Sequence, residues 1–197
     1  MAPAGPRRKT GFPGIRDQAL KPLGLVLCGG ASSRMGHPKW SLERDGQPWY
    51  SRSIQTLGPL CERVLLSVSG VSGWPEGVER IHDLWPSRGP LAAWATFTAI
   101  FPGRDLLSVP VDMTSLETRD LAPLIGTVSG HLVSPVGSHY LAAFVRASDL
   151  TKLSVPSDAK LGSVAAFWEH TPHTVRPLDA TRALDANTPE SGLIRNP

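Results

Sequence analysis

The chain has 197 residues, enough for one domain that buries about 70% of its unfolded surface without covalent staples. Its two cysteines, Cys28 and Cys61, exclude a disulfide framework and fit a reducing cytosol. Net charge is +3, but residues 1–21 carry Arg7, Arg8, Lys9, Arg16 and Lys21 against Asp17 alone, so the basic balance does not mark a nucleic-acid surface.

No apolar run approaches the ~20 residues of a membrane span, and the charged start is not followed by the apolar stretch of a secretory signal. Pro3, Pro6 and Pro13 among several glycines make residues 1–21 a flexible extension, with the folded domain expected over 22–197. Residues 23–28 form a continuous apolar run stopped by glycines, the pattern of a strand buried on both faces. A helix is expected over 49–57, a strand over 63–67, a turn-rich stretch over 69–77 and a short strand over 78–82 ending at Asp83. Gly89-Pro90-Leu91 opens a helix running to about residue 100, because proline is tolerated in a first turn. Residues 105–111 read as another buried strand with Asp112 just beyond it.

Next comes a helix over 115–125 capped by Ser115, with Thr118 in its first turn. Strands over 131–134 and 140–145 flank the turn 135–138. Helices at 148–153 and 160–170, a strand near 174–177 and a last short helix from Asn187 complete the pattern. Alternating strands and helices predict a single Rossmann-like α/β domain, a mostly parallel sheet with helices on both faces. Ligands of such sheets sit beyond the carboxyl ends of the strands, where Gly29, Ser67, Asp83 and Asp112 all fall.

The segment after the first strand reads Leu27-Cys28-Gly29-Gly30-Ala31-Ser32-Ser33-Arg34-Met35-Gly36-His37-Pro38-Lys39. Small residues let backbone N–H groups approach an anion, and Arg34 and Lys39 supply positive charge. The loop is suited to a nucleoside triphosphate. It lacks both the Gly-Lys-Ser/Thr ending of a P-loop and the three-glycine fingerprint of dinucleotide-binding folds. Cys28 ends an apolar strand, where a small buried thiol is the simpler reading. Six tryptophans, Trp40, Trp49, Trp74, Trp85, Trp94 and Trp168, are scattered as core residues are.

The loop resembles the signature of the MobA-like nucleotidyltransferases, roughly L-A-G-G-x-S-x-R-M-G-x-D-K, and its glycine pair resembles most the molybdenum cofactor guanylyltransferases. Asp83 followed by Gly89-Pro90-Leu91-Ala92 is similar to a family stretch bordering the nucleotide, with Ala93 where a second glycine is usual. Asp112 in Val109-Pro110-Val111-Asp112-Met113-Thr114 matches the family's metal-binding aspartate, with Thr114 in place of the usual proline. A lone carboxylate suffices for Mg²⁺, which keeps phosphate oxygens and water as its other ligands. Asp112 would equally serve as a turn cap, and Asp83 as a solvated loop carboxylate. Ser67 stands where similar guanylyltransferases often carry Asn, and keeps a hydroxyl for the base or ribose.

Pro38 is reminiscent of the related cytidylyltransferases, whereas Gly29 and Gly30 point to guanine. The segment 138–143 resembles a stretch that builds the acceptor side, so His139 would either reach the acceptor or pack at a strand edge. The ending Asp185-Ala186-Asn187-Thr188-Pro189-Glu190 resembles N-x-N-T-P-E, which several nucleotidyltransferase branches share.

The resemblance covers roughly residues 23–195. It implies a cytoplasmic enzyme on a nucleotide-diphospho-sugar-transferase-like domain, moving GMP from GTP to the molybdopterin cofactor with release of pyrophosphate. Arg34, Lys39 and Asp112 would be catalytic, with Mg²⁺ on Asp112. Leu27, Cys28, Gly29, Gly30, Ser33, Arg34, Lys39, Ser67, Asp83 and Asp112 would line the nucleotide. Neither nucleic acid nor membrane is implied as a partner. Transient contact with cofactor-biosynthesis proteins or apo-molybdoenzymes is. The alternatives are a cytidylyltransferase for the same pterin, a transferase for another phosphorylated acceptor, and a non-catalytic nucleotide-binding regulator.

Overall fold

The apolar run after Pro22 forms the central strand β1 (Leu23–Leu27), buried along its whole length in a computed structural model that describes residues 20–29, 41–69, 74, 76–86, 88–153 and 162–183. Parallel neighbours flank it: β4 (Val64–Val68) on one side and β6 (Leu106–Pro110) on the other. A strand enclosed by two others and by helices above and below must be apolar throughout, which is why no alternation shows in its sequence. Gly24 is the exception in size. A Cβ there would stand 3.0 Å from Val64 Cγ2 and 3.1 Å from Cys61 Sγ, so a side chain would force these neighbours to shift by a few tenths of an ångström.

The short strand β5 (Arg80–His82) extends the parallel set at one edge. On the other side β6 pairs antiparallel with β8 (Gly137–Val145), which hairpins with β7 (Ser129–Ser134). The exposed strand β9 (His173–Pro177) closes that edge, parallel to β7. The seven-stranded order is β5-β4-β1-β6-β8-β7-β9, a mostly parallel sheet in one α/β domain.

Side chains alternate between two cores. Val26, Leu66, Leu107 and Val109 face one side, where α1 (Trp49–Leu57) contributes Trp49 and Leu57. Leu23, Leu25, Leu65 and Leu106 face the other, against Trp94 and Phe97 of α2 (Pro90–Ile100) and Phe167 and Trp168 of α5 (Val164–Glu169). Trp49, Trp94 and Trp168 are thus core residues. Among the described residues, no helix is long and apolar enough to cross a membrane.

Several local expectations are corrected. A two-stranded hairpin, β2 (Glu43–Arg44) and β3 (Gln47–Pro48), precedes α1. Its turn is Asp45-Gly46, both at positive φ (54° and 73°), the pairing that suits the twist of a tight hairpin. The helix expected over 115–125 is only α3 (Thr118–Leu121), followed by a 3-10 turn at Ala122–Leu124. Ser115 does not cap it. Arg44 Nη1 donates to the Ser115 hydroxyl at 2.7 Å and to Thr114 Oγ1 at 3.0 Å. Glu117 and Asp120 instead form a reciprocal capping box, and Pro123 in the following turn prevents an α continuation.

The helix expected over 148–153 is α4 (Ala147–Leu150), and the one over 160–170 is α5, residues 160 and 161 lying outside the described set. A further short helix, α6 (Ala180–Ala183), begins where Asp179 Oδ1 accepts from Thr181 N at 2.8 Å. The helix expected from Asn187 lies outside the described residues.

Candidate active site

Four parallel strands end on one level because their registers align. Leu27 pairs with both Ser67 and Pro110, and Ser67 pairs with Ile81. The ladder continues one step past the strand ends: Cys28 N donates to Ser67 O, Asp83 N to Val68 O, and Val111 N to Leu27 O. Gly29, Ser67, Asp83 and Asp112 are thereby brought to the carboxyl edge of one sheet. All four, with Leu27, line a single cleft of about 860 Å³, in the upper part of the ~300–1,000 Å³ range of small-molecule sites.

One wall of the cleft is polar. Ser67, almost wholly buried, donates from its hydroxyl to Asp83 Oδ1 at 2.6 Å. Burial pushes the Asp83 carboxyl above its usual range, opposed by the Ser67 hydrogen bond and by His82 nearby. The next residue is held by Leu84 N donating to Thr96 Oγ1 of α2 at 3.0 Å, which fixes where Asp83 leaves the strand. Gly29 faces this pair. A Cβ at position 29 would meet Ser69 Oγ at 3.4 Å and Asp83 Oδ2 at 3.7 Å, ordinary contact distances. Among the described residues nothing opposes a side chain there, and the bare backbone leaves room beside Asp83.

At the floor, Gly89 and Pro90 bring the start of α2 to the cleft. Gly89 has φ of 80°, a conformation that glycine adopts without steric cost. The exposed amide ends of a helix start favour an anion. Ala93, one turn further along, also lines the cleft, so the departure noted there in sequence falls on the cleft wall. Cys28 does not line it. Its thiol is buried, and burial together with the Asp83 charge pushes its pKa far up, which makes it an inert packing group.

Asp112 follows β6 in a turn whose position is set from below. Arg44 binds the Thr114 and Ser115 hydroxyls, and Arg52 Nε donates to Thr114 O at 3.3 Å. The hairpin arginine was missed in the sequence reading, although Asp45-Gly46 between short polar strands is a strong hairpin signal. No group of three or more His, Cys, Asp or Glu able to hold a metal occurs among the described residues. Asp112 offers hard oxygen donors, which suits Mg²⁺ completed by phosphate and water and does not suit a zinc-type cage. Gly30, Ser33, Arg34 and Lys39 lie outside the described residues, as does Asn187.

The opposite wall comes from β8 and α5: Ser138, His139, Tyr140, Leu141 and Val164. Burial holds the His139 imidazole below its usual pKa, and His139 Nε2 lies 2.8 Å from Ser134 Oγ. Of this wall the sequence reading singled out only His139. Tyr140 and Leu141 entered that reading only as part of the segment 138–143.

Comparison with known proteins agrees with this architecture. Residues 24–173 match the model of the MobA-like NTP transferase domain. The chain is 34% identical to a molybdenum cofactor biosynthesis bifunctional protein of Synechocystis over 64% of its own length, and spans 37% of that protein. It is 31% identical to a molybdenum cofactor guanylyltransferase of Rhizobium meliloti, covering 90% of this chain and 91% of the relative. In fold it is similar to molybdopterin-guanine dinucleotide biosynthesis protein A of Archaeoglobus fulgidus, with a TM-score of 0.59 at 16% identity, over 79% of this chain and 83% of that one. The aligned strand ends, the glycine turn and the extent of these matches together place the chain in the family of MobA-like NTP transferase domains.

Proposed function

We propose that the protein transfers GMP from GTP to the molybdopterin cofactor, giving the guanine dinucleotide form and pyrophosphate. The carrying observation is the gathering of Leu27, Gly29, Ser67, Asp83 and Asp112 in one cleft of a family whose relatives are molybdenum cofactor guanylyltransferases. The polar wall supports guanine. Ser67 donates to one carboxylate oxygen of Asp83, leaving acceptor capacity toward Gly29 for the N1–H and N2–H₂ donors of that base. Cytosine would present one amino donor, N4–H₂, beside acceptors at N3 and O2, and so could not give the same carboxylate two adjacent donors.

In the reaction a phosphate oxygen of the acceptor attacks the α-phosphorus of GTP while the bond to pyrophosphate breaks. The acceptor is already anionic, so little base catalysis is needed, and the obstacle is repulsion between two anions. Arg34 and Lys39 offset that repulsion, Lys39 chiefly as charge moves onto pyrophosphate. Backbone N–H groups of residues 29–33 hold the triphosphate. Asp112 would hold Mg²⁺, whose charge further screens the phosphates. This activity belongs in the cytoplasm, with product passed to cofactor-biosynthesis proteins or apo-molybdoenzymes.

Titration calorimetry with GTP, CTP, ATP and UTP in the presence of Mg²⁺ tests the base. GTP should bind at least roughly tenfold tighter than CTP, about 1.4 kcal/mol. A preference for CTP would favour the cytidylyltransferase reading, for which Pro38 is the supporting residue. GTP binding without pyrophosphate release in the presence of the pterin acceptor would favour a nucleotide-binding regulator.

A further inference from the structure

The wall formed by β8 is built by an irregularity in the sheet. Across the β7–β8 hairpin, His131 pairs with Ala143 whereas the next residue, Leu132, pairs with His139. Tyr140, Leu141 and Ala142 are therefore extra residues on β8, without counterparts on β7. Pairing with β6 also reaches only Ser108 opposite Ala143, so Val109 and Pro110 run on without a register partner on β8. An insertion of this kind bends the strand and re-aims its side chains, and here Tyr140 and Leu141 are turned to the cleft.

The backbone freed by the bulge is held by two buried donors. Ser108 Oγ donates to Leu141 O at 2.7 Å, and Trp168 Nε1 donates to Tyr140 O at 3.1 Å. Ser108 and Trp168 lie in the core and do not line the cleft. Behind Tyr140 the support is aromatic. The His131 ring lies 4.9 Å from the Tyr140 ring and 4.9 Å from that of Trp168. His173 packs against both His131 and Trp168. Burial, with the neighbouring His173 and His139, pushes His131 down to about 4, so the ring directly behind Tyr140 is uncharged at neutral pH.

We propose that Tyr140, set in place by this bulge, is the platform on which a planar, uncharged heterocycle of the phosphorylated acceptor stacks. The inference rests on the transferase reading above and adds the residue that selects the acceptor. Beside it Leu141 and Val164 offer apolar contact, with His139 and Ser138 the polar groups of the same wall. A sugar phosphate would need a denser set of hydrogen-bonding groups than this wall provides. A flat bicyclic ring needs an aromatic face and an apolar slot, and aromatic stacking tolerates varied ring substituents.

The test is fluorescence titration of the full chain with 6-hydroxymethylpterin phosphate in Mg²⁺, with GTP affinity measured in parallel. Tyr140→Leu should weaken pterin binding at least about tenfold and leave GTP affinity within about twofold, whereas Tyr140→Phe should stay within about threefold for both. Ser108→Ala touches nothing in the cleft and releases the bulge, so it should weaken the pterin about threefold or more while sparing GTP. It carries the test should Tyr140→Leu fail to fold. Unchanged pterin affinity in Tyr140→Leu or Ser108→Ala overturns the proposal, as does equal loss of pterin and GTP. A wild-type chain that binds GTP but not the pterin also overturns it. Failure to bind any nucleotide would instead overturn the transferase reading beneath it.

Discussion

The two walls of the cleft are made in different ways. On the polar wall, Leu27, Ser67 and Asp83 sit at the ends of parallel strands whose register aligns them, and the ladder hydrogen bonds continue one residue past the strands. On the opposite wall, Tyr140 and Leu141 reach the cleft because the ladder is broken and three residues are left over. Regular pairing brings the first wall to one level, and side-chain hydrogen bonds from Ser67 and to Thr96 only trim where Asp83 leaves its strand. The second depends on Ser108 and Trp168 satisfying carbonyls that the sheet has abandoned.

The sharpest way to test the regular wall is to remove its charged end. Asp112→Ala should lower turnover by roughly 10²–10³ and raise the Mg²⁺ concentration for half-maximal rate, read from pyrophosphate release. Lys39→Ala should slow turnover comparably while weakening GTP binding much less, because only interactions strengthened in the transition state speed chemistry. Near-normal turnover of Asp112→Ala at limiting Mg²⁺ would return Asp112 to a turn cap.

Gly29→Ala separates the demands of fold and ligand. The added methyl meets only ordinary contacts, so thermal stability should change by no more than about 0.5 kcal/mol. GTP affinity should fall by about tenfold, since the methyl fills space facing Asp83. Loss of both together in calorimetry would show that glycine at 29 serves the fold.

Asp83 is a smaller lever with a definite sign. Its carboxyl pKa is raised in the folded state by burial, so the protonated form is favoured on folding. Its contribution to stability is fully present below the unfolded value of 3.8 and is lost as pH rises through the higher folded value. Asp83→Asn keeps an oxygen for Ser67 and removes the buried charge. It should raise Tm slightly at pH 7, by about 1–2 °C, with the difference vanishing in acid, while GTP affinity falls. A lower Tm at pH 7 would show that the ionised carboxylate is stabilising.

The smallest effect is expected from deleting residues 1–20. If the proline- and glycine-rich start is an extension outside the domain at 22–197, GTP affinity and turnover should both stay within about twofold. A large loss in either assay would make the segment part of the site.

Much of the regular wall was legible in the chain. Residues 23–28 read as a doubly buried strand, and the segment 49–57 matches α1 because a core strand and an amphipathic helix carry their environment in their pattern. Ser115 and the bulge were not legible, for one shared reason. The Ser115 hydroxyl can cap a helix or accept from an arginine, and Arg44, far away in sequence, decides between them. Tyr140, Leu141 and Ala142 can continue a strand or leave it, and the number of residues on β7 decides.

By its own pattern, then, the sequence determined the α/β alternation, the central strand, and the placing of Gly29, Asp83 and Asp112 just past strands and of Ser67 near the end of one, since strand ends are marked locally by glycine and carboxylate. The convergence of those four in one cleft followed from parallel register, a property the strands acquire only beside one another. The Ser67–Asp83 hydrogen bond, the Arg44 clamp beneath Asp112 and the turning of Tyr140 into the cleft were decided by tertiary structure alone. Each joins residues distant in the chain, and a hydrogen bond of that kind leaves no period in sequence.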